Sequence, residues 1–128
     1  MAKRQSINTP VARHENPIPN ASRIGNIVMS SVIGGSNPGT RDLPPTLEGQ
    51  VANVFAALRS DVEAAGGTVD DILKVTFWVK DPVSQRAALN AEWVKMFPDP
   101  AARPARHTLP LPADSRALVQ ADFTAVLS

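Results

Sequence analysis

The chain has no cysteine and no tyrosine. The first absence excludes disulfides, thiolate metal sites and a cysteine nucleophile. The second excludes any step that needs a phenol hydroxyl. Aromatic residues are few, four Phe and two Trp, and basic and acidic residues interleave to a net charge of +1. The basic, aromatic-studded surface that nucleic-acid binding draws on is therefore missing. The two histidines, His14 and His107, lack the helical i, i+4 pairing of a metal motif. No apolar run approaches the roughly 18 residues of a membrane span. The basic start, MAKRQSINTP, lacks the apolar stretch of a signal peptide. A cytoplasmic location is the default expectation.

With 128 residues, 43% hydrophobic and 20% charged, the chain reads as one globular domain, 1–128, able to bury a core. Its prolines cluster at 10–19, 38–45 and 98–112, so they mark connections rather than break elements.

Residues 1–22 are polar and proline-containing, with a short strand near the start. Ile27 to Ile33 (IVMSSVI) is β-prone and bounded by Gly25-Asn26 and Gly34-Gly35, which predicts a buried strand after a turn. Residues 34–45 (GGSNPGTRDLPP) predict a long loop. Leu47, Val51, Val54, Phe55, Leu58 and Val62 recur at helical spacing, with Thr46 as the cap and Gly66-Gly67 as the stop. In 72–79 (ILKVTFWV), alternation assigns Leu73, Val75, Phe77 and Val79 to one face and Lys74, Thr76 and Trp78 to the other. Asp81-Pro82 opens a second helix that buries Leu89, Trp93 and Phe97, and Pro98 stops it. Asp70-Asp71 reads as a helix-to-strand turn. Two strands close the chain, 105–110 and Leu118 to Leu127. In the second, Val119, Ala121, Phe123, Ala125 and Leu127 share a face. The order predicts an α+β fold with two helices on one face of a mixed sheet. The other face carries Lys74, Thr76, Trp78, Gln120 and Asp122, a mixture suited to a subunit interface.

Four stretches resemble the Rid family, also called YjgF-like proteins. EAAGGTVDDILKVTFWVKD (63–81) resembles its helix end, turn and central strand, and GNIVMSS (25–31) its glycine-containing turn and strand. ALNAEW (88–93) resembles its helix motif of an asparagine followed by an aromatic. RPARHTLPLP (103–112) with ALVQADFTAV (117–126) resembles its closing arginine-bearing segment. Together these cover most of residues 17–127. The resemblance implies a chorismate-mutase-like fold and a homotrimer with sites between subunits. It also implies hydrolysis of 2-aminoacrylate-like enamine or imine acids to a keto acid and ammonia, with no metal or organic cofactor. The expected partners are a small carboxylate substrate and further copies of the chain, with neither nucleic acid nor membrane.

Residue by residue, the resemblance makes Arg106 the carboxylate-binding arginine, a role that suits a planar, bidentate guanidinium. Arg103 is expected to be an ordinary surface arginine. Thr108 matches a position whose backbone amide contacts the bound acid. Gln120 stands where many relatives have a glutamate that orients the attacking water. Glutamine can position water but cannot take its proton, and Asp122, two residues on along the same face, is the candidate substitute. Ser31 matches the serine of a Ser-Gly-Gln segment that reads Ser31-Val32-Ile33 here, which implies an altered pocket wall. Asn90 matches the helix asparagine, whose hydrogen bond is expected to tie the helix to a neighbouring loop. Trp93 holds the family's aromatic position and is expected in the core. Ile18 or Asn20 falls near the family's pocket tyrosine. His107, by alternation, is expected to point away from the arginine's side. Two other readings remain open: a catabolic deaminase of an aminomuconate-like acid, and a trimer that binds a carboxylate metabolite without turnover.

Overall fold

The computed structural model describes residues 3–11 and 14–128. In chain order the elements are β1 (Gln5–Ile7), β2 (Ala21–Ile24), β3 (Ile27–Ser30), β4 (Ile33–Gly34), α1 (Leu47–Ala64), β5 (Ile72–Val79), α2 (Pro82–Met96), β6 (Ala105–Pro110) and β7 (Val119–Val126). The strands form one sheet in the order β1-β2-β3-β7-β5-β6, and β4 also pairs with β7. Only β5 and β6 run parallel; the remaining pairs are antiparallel. A parallel pair needs a long crossover, and α2 supplies it.

Both helices pack on one face of this sheet, giving the expected mixed α+β architecture. Their stripes meet Val75, Phe77, Val79, Val119, Ala121, Phe123 and Ala125 in one apolar cluster. Phe77 is its centre. The Phe55 ring of α1 stacks on it at 5.4 Å, and the Trp93 ring of α2 meets it edge-on at 6.1 Å. Offset and edge contacts of this kind add about 0.5–1.5 kcal/mol each beyond area burial.

The helix ends follow local chemistry. Thr46 Oγ1 accepts the Gly49 N–H at 3.1 Å, and Asp81 Oδ1 accepts the Val83 N–H at 3.1 Å, each satisfying an orphan first-turn donor. Beyond α1, Gly66 takes a left-handed φ of 99°. Arg23 of β2 donates to the Ala65 carbonyl at 2.8 Å, which ties the β2–β3 hairpin to the end of α1. Thr68 and Asp71 then form a capping box over the single 3-10 turn Val69–Asp71, as expected for a helix-to-strand turn.

The structure corrects three expectations. Ile27 to Ile33 is not one buried strand. It is two short ones broken at Ser31, whose N–H turns to the Asn20 carbonyl at 2.8 Å. Within β3 only Val28 is buried, while Ile27 and Met29 project outward and are more than half exposed. Second, Leu73 lies outside the core at 61% exposure, and Ile72 is buried instead. A register shift between Ile72 and Lys74 inserts one residue and resets the alternation. Third, Ala21–Ile24 is a strand, closed onto β3 by the Gly25-Asn26 turn, in a stretch too short and polar to show a period.

The 34–45 loop is anchored from α1. Gln50 is 2% exposed. Its amide donates to the Pro44 carbonyl at 2.8 Å and accepts the Leu118 N–H at 2.9 Å. Asn53 donates to the Gly35 carbonyl at 3.0 Å. A Cβ at Gly35 would stand 2.6 Å from the Gln50 carbonyl oxygen, whereas one at Gly34 meets nothing within 4 Å. Gly35→Ala is therefore expected to destabilise the fold by about 1–3 kcal/mol through forced backbone separation, and Gly34→Ala by much less. Thermal or urea unfolding of the two variants checks this ordering.

Candidate functional site

Pairing on the parallel edge decides where the arginine goes. Arg106 lies opposite Val75 and Thr108 opposite Phe77, while His107 lies opposite Thr76 and Leu109 opposite Trp78. Because side chains alternate along a strand, Arg106 and Thr108 point to the helix side, and His107 to the other, as expected. Arg106 is thus on an edge strand at the rim of α2. Its Nη2 donates to Asn90 Oδ1 at 2.7 Å, and its guanidinium lies over the Trp93 ring, 5.0 Å from the centroid. The partner of Asn90 is therefore the arginine, not a loop. Trp93 is a core residue, as expected, and also the floor under the cation. Burial, and then the nearby Arg86 charge, lower the Arg106 pKa from its ordinary value. These contacts use one edge of the fork, and a planar anion can take other donors.

Arg103 does structural work. Its Nε donates to the Phe97 carbonyl at 2.8 Å, which fastens the connection that leads into β6.

Gln120 faces the opposite way. It pairs with Trp78, and Asp122 pairs with Thr76, all on the side away from the helices. Gln120 and Asp122 share a shallow groove of about 320 Å³ with Val32, Trp78, Leu111 and Pro112. One wall of the groove is held by Lys80, whose ammonium donates to the carbonyls of Pro112, Ala113 and Ser115. Burial raises the Asp122 pKa, and Lys74 partly opposes this. A raised carboxyl pKa makes a better proton acceptor near neutral pH.

The other expected residues gather near this second group. Ser31 Oγ donates to the Pro19 carbonyl at 2.7 Å, a contact that closes the 18–20 segment onto the end of β3. Ile18 is 44% exposed. Asn20 and Val32 line, with Gln120, a second cavity of about 230 Å³ between α1 and the loop that precedes it. The structure therefore separates the candidates. Arg106, Asn90 and Thr108 lie at the α2–β6 rim, Gln120 and Asp122 lie on the outer face, and Ser31 holds the 18–20 segment at the end of β3.

Asp61 was not singled out by sequence. It lines that second cavity with His14 and Asn53, is 3% exposed, and its carboxyl is pushed up to about 7 by burial. The available signal was an aspartate on an apolar stripe, one position before Val62 and three after Leu58. Among the described residues no group of three or more His, Cys, Asp or Glu side chains could hold a metal ion. His14 and His107 lie on different parts of the molecule.

Residues 10–126 match the family described as Endoribonuclease L-PSP. A RutC family protein of Haemophilus influenzae is 35% identical over 81 residues, which are 63% of this chain and 62% of that protein. A 2-iminobutanoate/2-iminopropanoate deaminase of Escherichia coli is 34% identical over 74 residues, 58% of this chain and 57% of that one. The alignments thus span less than two thirds of these curated relatives. Among solved structures, RidA from an Antarctic Psychrobacter is 27% identical, with a TM-score of 0.87 over 96% of this chain and 99% of that one. The YjgF gene product of Escherichia coli is 27% identical, with a TM-score of 0.84 over 95% and 98%.

The buried Asp61 carboxyl carries a pH signature. In the unfolded chain it ionises near 3.8, and in the folded chain near 7. Below the first value both states are protonated and folding bears no penalty. Between the two values the unfolded state gives up its proton first, so stability falls as pH rises and then levels off above about 7. Asp61→Asn is expected to flatten this decline and to be the more stable protein at pH 8, by on the order of a few kcal/mol. Urea unfolding at a series of pH values measures the two slopes.

Proposed function

Because this chain belongs to the Endoribonuclease L-PSP family, the family of the RidA and YjgF proteins, we propose that it is a hydrolytic deaminase of 2-imino acids, acting at a site built between copies of the chain. The observation that carries this reading is the half-buried Arg106. Its guanidinium is held in place by Asn90 and Trp93, with no carboxylate in ion-pair reach among the described residues. A fixed, desolvated and unneutralised cation at the rim of a sheet suits a substrate carboxylate.

The second half of the site comes from a neighbouring copy. The outer sheet face exposes Ile24, Ile27, Met29, Leu73, Leu109 and Val126 beside the polar row of Gln120 and Asp122. Exposed apolar side chains set among polar ones on a sheet face suit an interface, and a closed homotrimer would cover them on every copy. Docking that face beside the α2–β6 rim of another chain brings Gln120 and Asp122 to a substrate held by Arg106.

The chemistry then needs little. A 2-aminoacrylate-like acid tautomerises to its imine, and Arg106 binds the carboxylate and fixes the C=N carbon. Water held by the Gln120 amide attacks that carbon while Asp122 accepts a proton. The C–N bond of the resulting carbinolamine breaks, the nitrogen leaves as ammonia with the proton returned, and a 2-keto acid remains. Positioning and charge neutralisation supply a few kcal/mol, on the order of 10²–10³ in rate. Although the family description names an endoribonuclease, a net charge of +1 with few aromatics supports a small anion rather than RNA as the ligand.

Arg106→Ala is expected to lower kcat/KM for ammonia release from 2-aminoacrylate by about 10²-fold relative to the native protein, close to the buffer reaction, with the fold and assembly retained. Arg106→Lys recovers part of this, because an ammonium keeps the charge but loses the fork. Unchanged turnover in a folded Arg106→Ala protein overturns the reading.

A further inference from the structure

A second cation accompanies Arg106. Arg86 is on α2 four residues before Asn90 and seven before Trp93, so the three share one helical face. Asn90 and Trp93 are the two side chains that Arg106 touches. Arg86 is exposed, and its charge is felt at the Arg106 guanidinium.

The described ion pairs are Arg41–Glu15, Arg59–Glu63 and Lys95–Glu92. Neither Arg86 nor Arg106 takes part in one; Asp81 caps the start of α2, and Glu92 is turned to Lys95 at 3.5 Å. Two guanidinium groups that face the same rim repel, and the half-buried member is screened less than a surface pair would be. An anion between them reverses the sign of that interaction, and one anionic group cannot saturate two five-donor forks.

We propose that Arg86 is a specificity-determining residue of the Arg106 site, and that the substrate is a 2-imino or 2-enamino acid with a second carboxylate. Arg106, fixed by Asn90, takes the carboxylate next to the reacting carbon. Arg86, one turn of α2 before the Asn90 that holds Arg106, takes the distal one. For the reaction itself this inference rests on the imine-deaminase reading. The second carboxylate rests on the two arginines alone.

The test uses the full-length protein and keto acids, which cannot turn over. Binding of 2-oxobutanoate, 2-oxoglutarate and inorganic phosphate is measured by titration calorimetry for the native protein and for Arg86→Gln. The native protein is expected to bind 2-oxoglutarate at least about tenfold more tightly than 2-oxobutanoate, the scale of one added charge-assisted contact, and Arg86→Gln to erase that preference. The same ratio is expected to collapse in kcat/KM for the corresponding dicarboxylic and monocarboxylic imines, a change that a purely structural role would not produce. A preference retained in Arg86→Gln, or absent from the native protein, overturns the proposal and leaves the deaminase reading standing. Phosphate bound as tightly as 2-oxoglutarate overturns the dicarboxylate assignment. Binding of no keto acid at all overturns it together with the role given to Arg106.

Discussion

Strand alternation sets Arg106 and Gln120 on opposite faces of one sheet, and the functional account depends on that constraint. β5 is the shared neighbour. Its Val75 side carries Arg106 from β6, and its Trp78 side carries Gln120 from β7. A shift of one residue in either pairing would bring the two side chains to a common face. The β5–β7 register is held by the buried run Val119, Ala121, Phe123 and Ala125, so the separation cannot be relaxed without exposing the core. One chain therefore carries Arg106 on one side and the Gln120–Asp122 pair on the other. Chemistry that needs both must recruit a second chain.

The same constraint explains what each face is made of. The helix side is closed by Phe55, Phe77, Trp93 and Phe97, and Arg106 enters only at its rim, where a ring face offsets part of its lost hydration. The outer side mixes Ile27, Met29 and Leu73 with Lys74, Asp122 and Gln120. Neither bulk water nor a dry core matches that mixture, which is why the proposed site draws on this face of a second copy. Asp61 stands apart as a buried carboxyl whose pKa burial raises, the direction that opposes folding once it ionises.

Sequence periodicity read α1, α2, β5 and β7 because each has a face that is apolar over several repeats. It failed where the signal was local. Ile72 and Leu73 are both apolar, so alternation could not show which one a bulge would bury. Ser22 and Arg23 disguise β2, although Arg23 earns its place by tying the hairpin to the end of α1. The site divides the same way. The RPARH and ALNAEW stretches marked Arg106 and Asn90 separately, but their mutual hydrogen bond required knowing that β6 runs parallel to β5 beneath α2. Arg86 carries no motif at all. It becomes visible only when the helix is docked and its neighbour across the rim is seen to be another arginine.

Mixed assemblies test the shared site most directly. Chains carrying Arg106→Ala and chains carrying both Gln120→Ala and Asp122→Ala are each expected to be inactive alone. Co-expressed in equal amounts, they are expected to recover about a quarter of the native rate of ammonia release, because in random trimers one site in four draws an intact half from each of two chains. Mixed assemblies that stay inactive, or an active monomer, contradict the account.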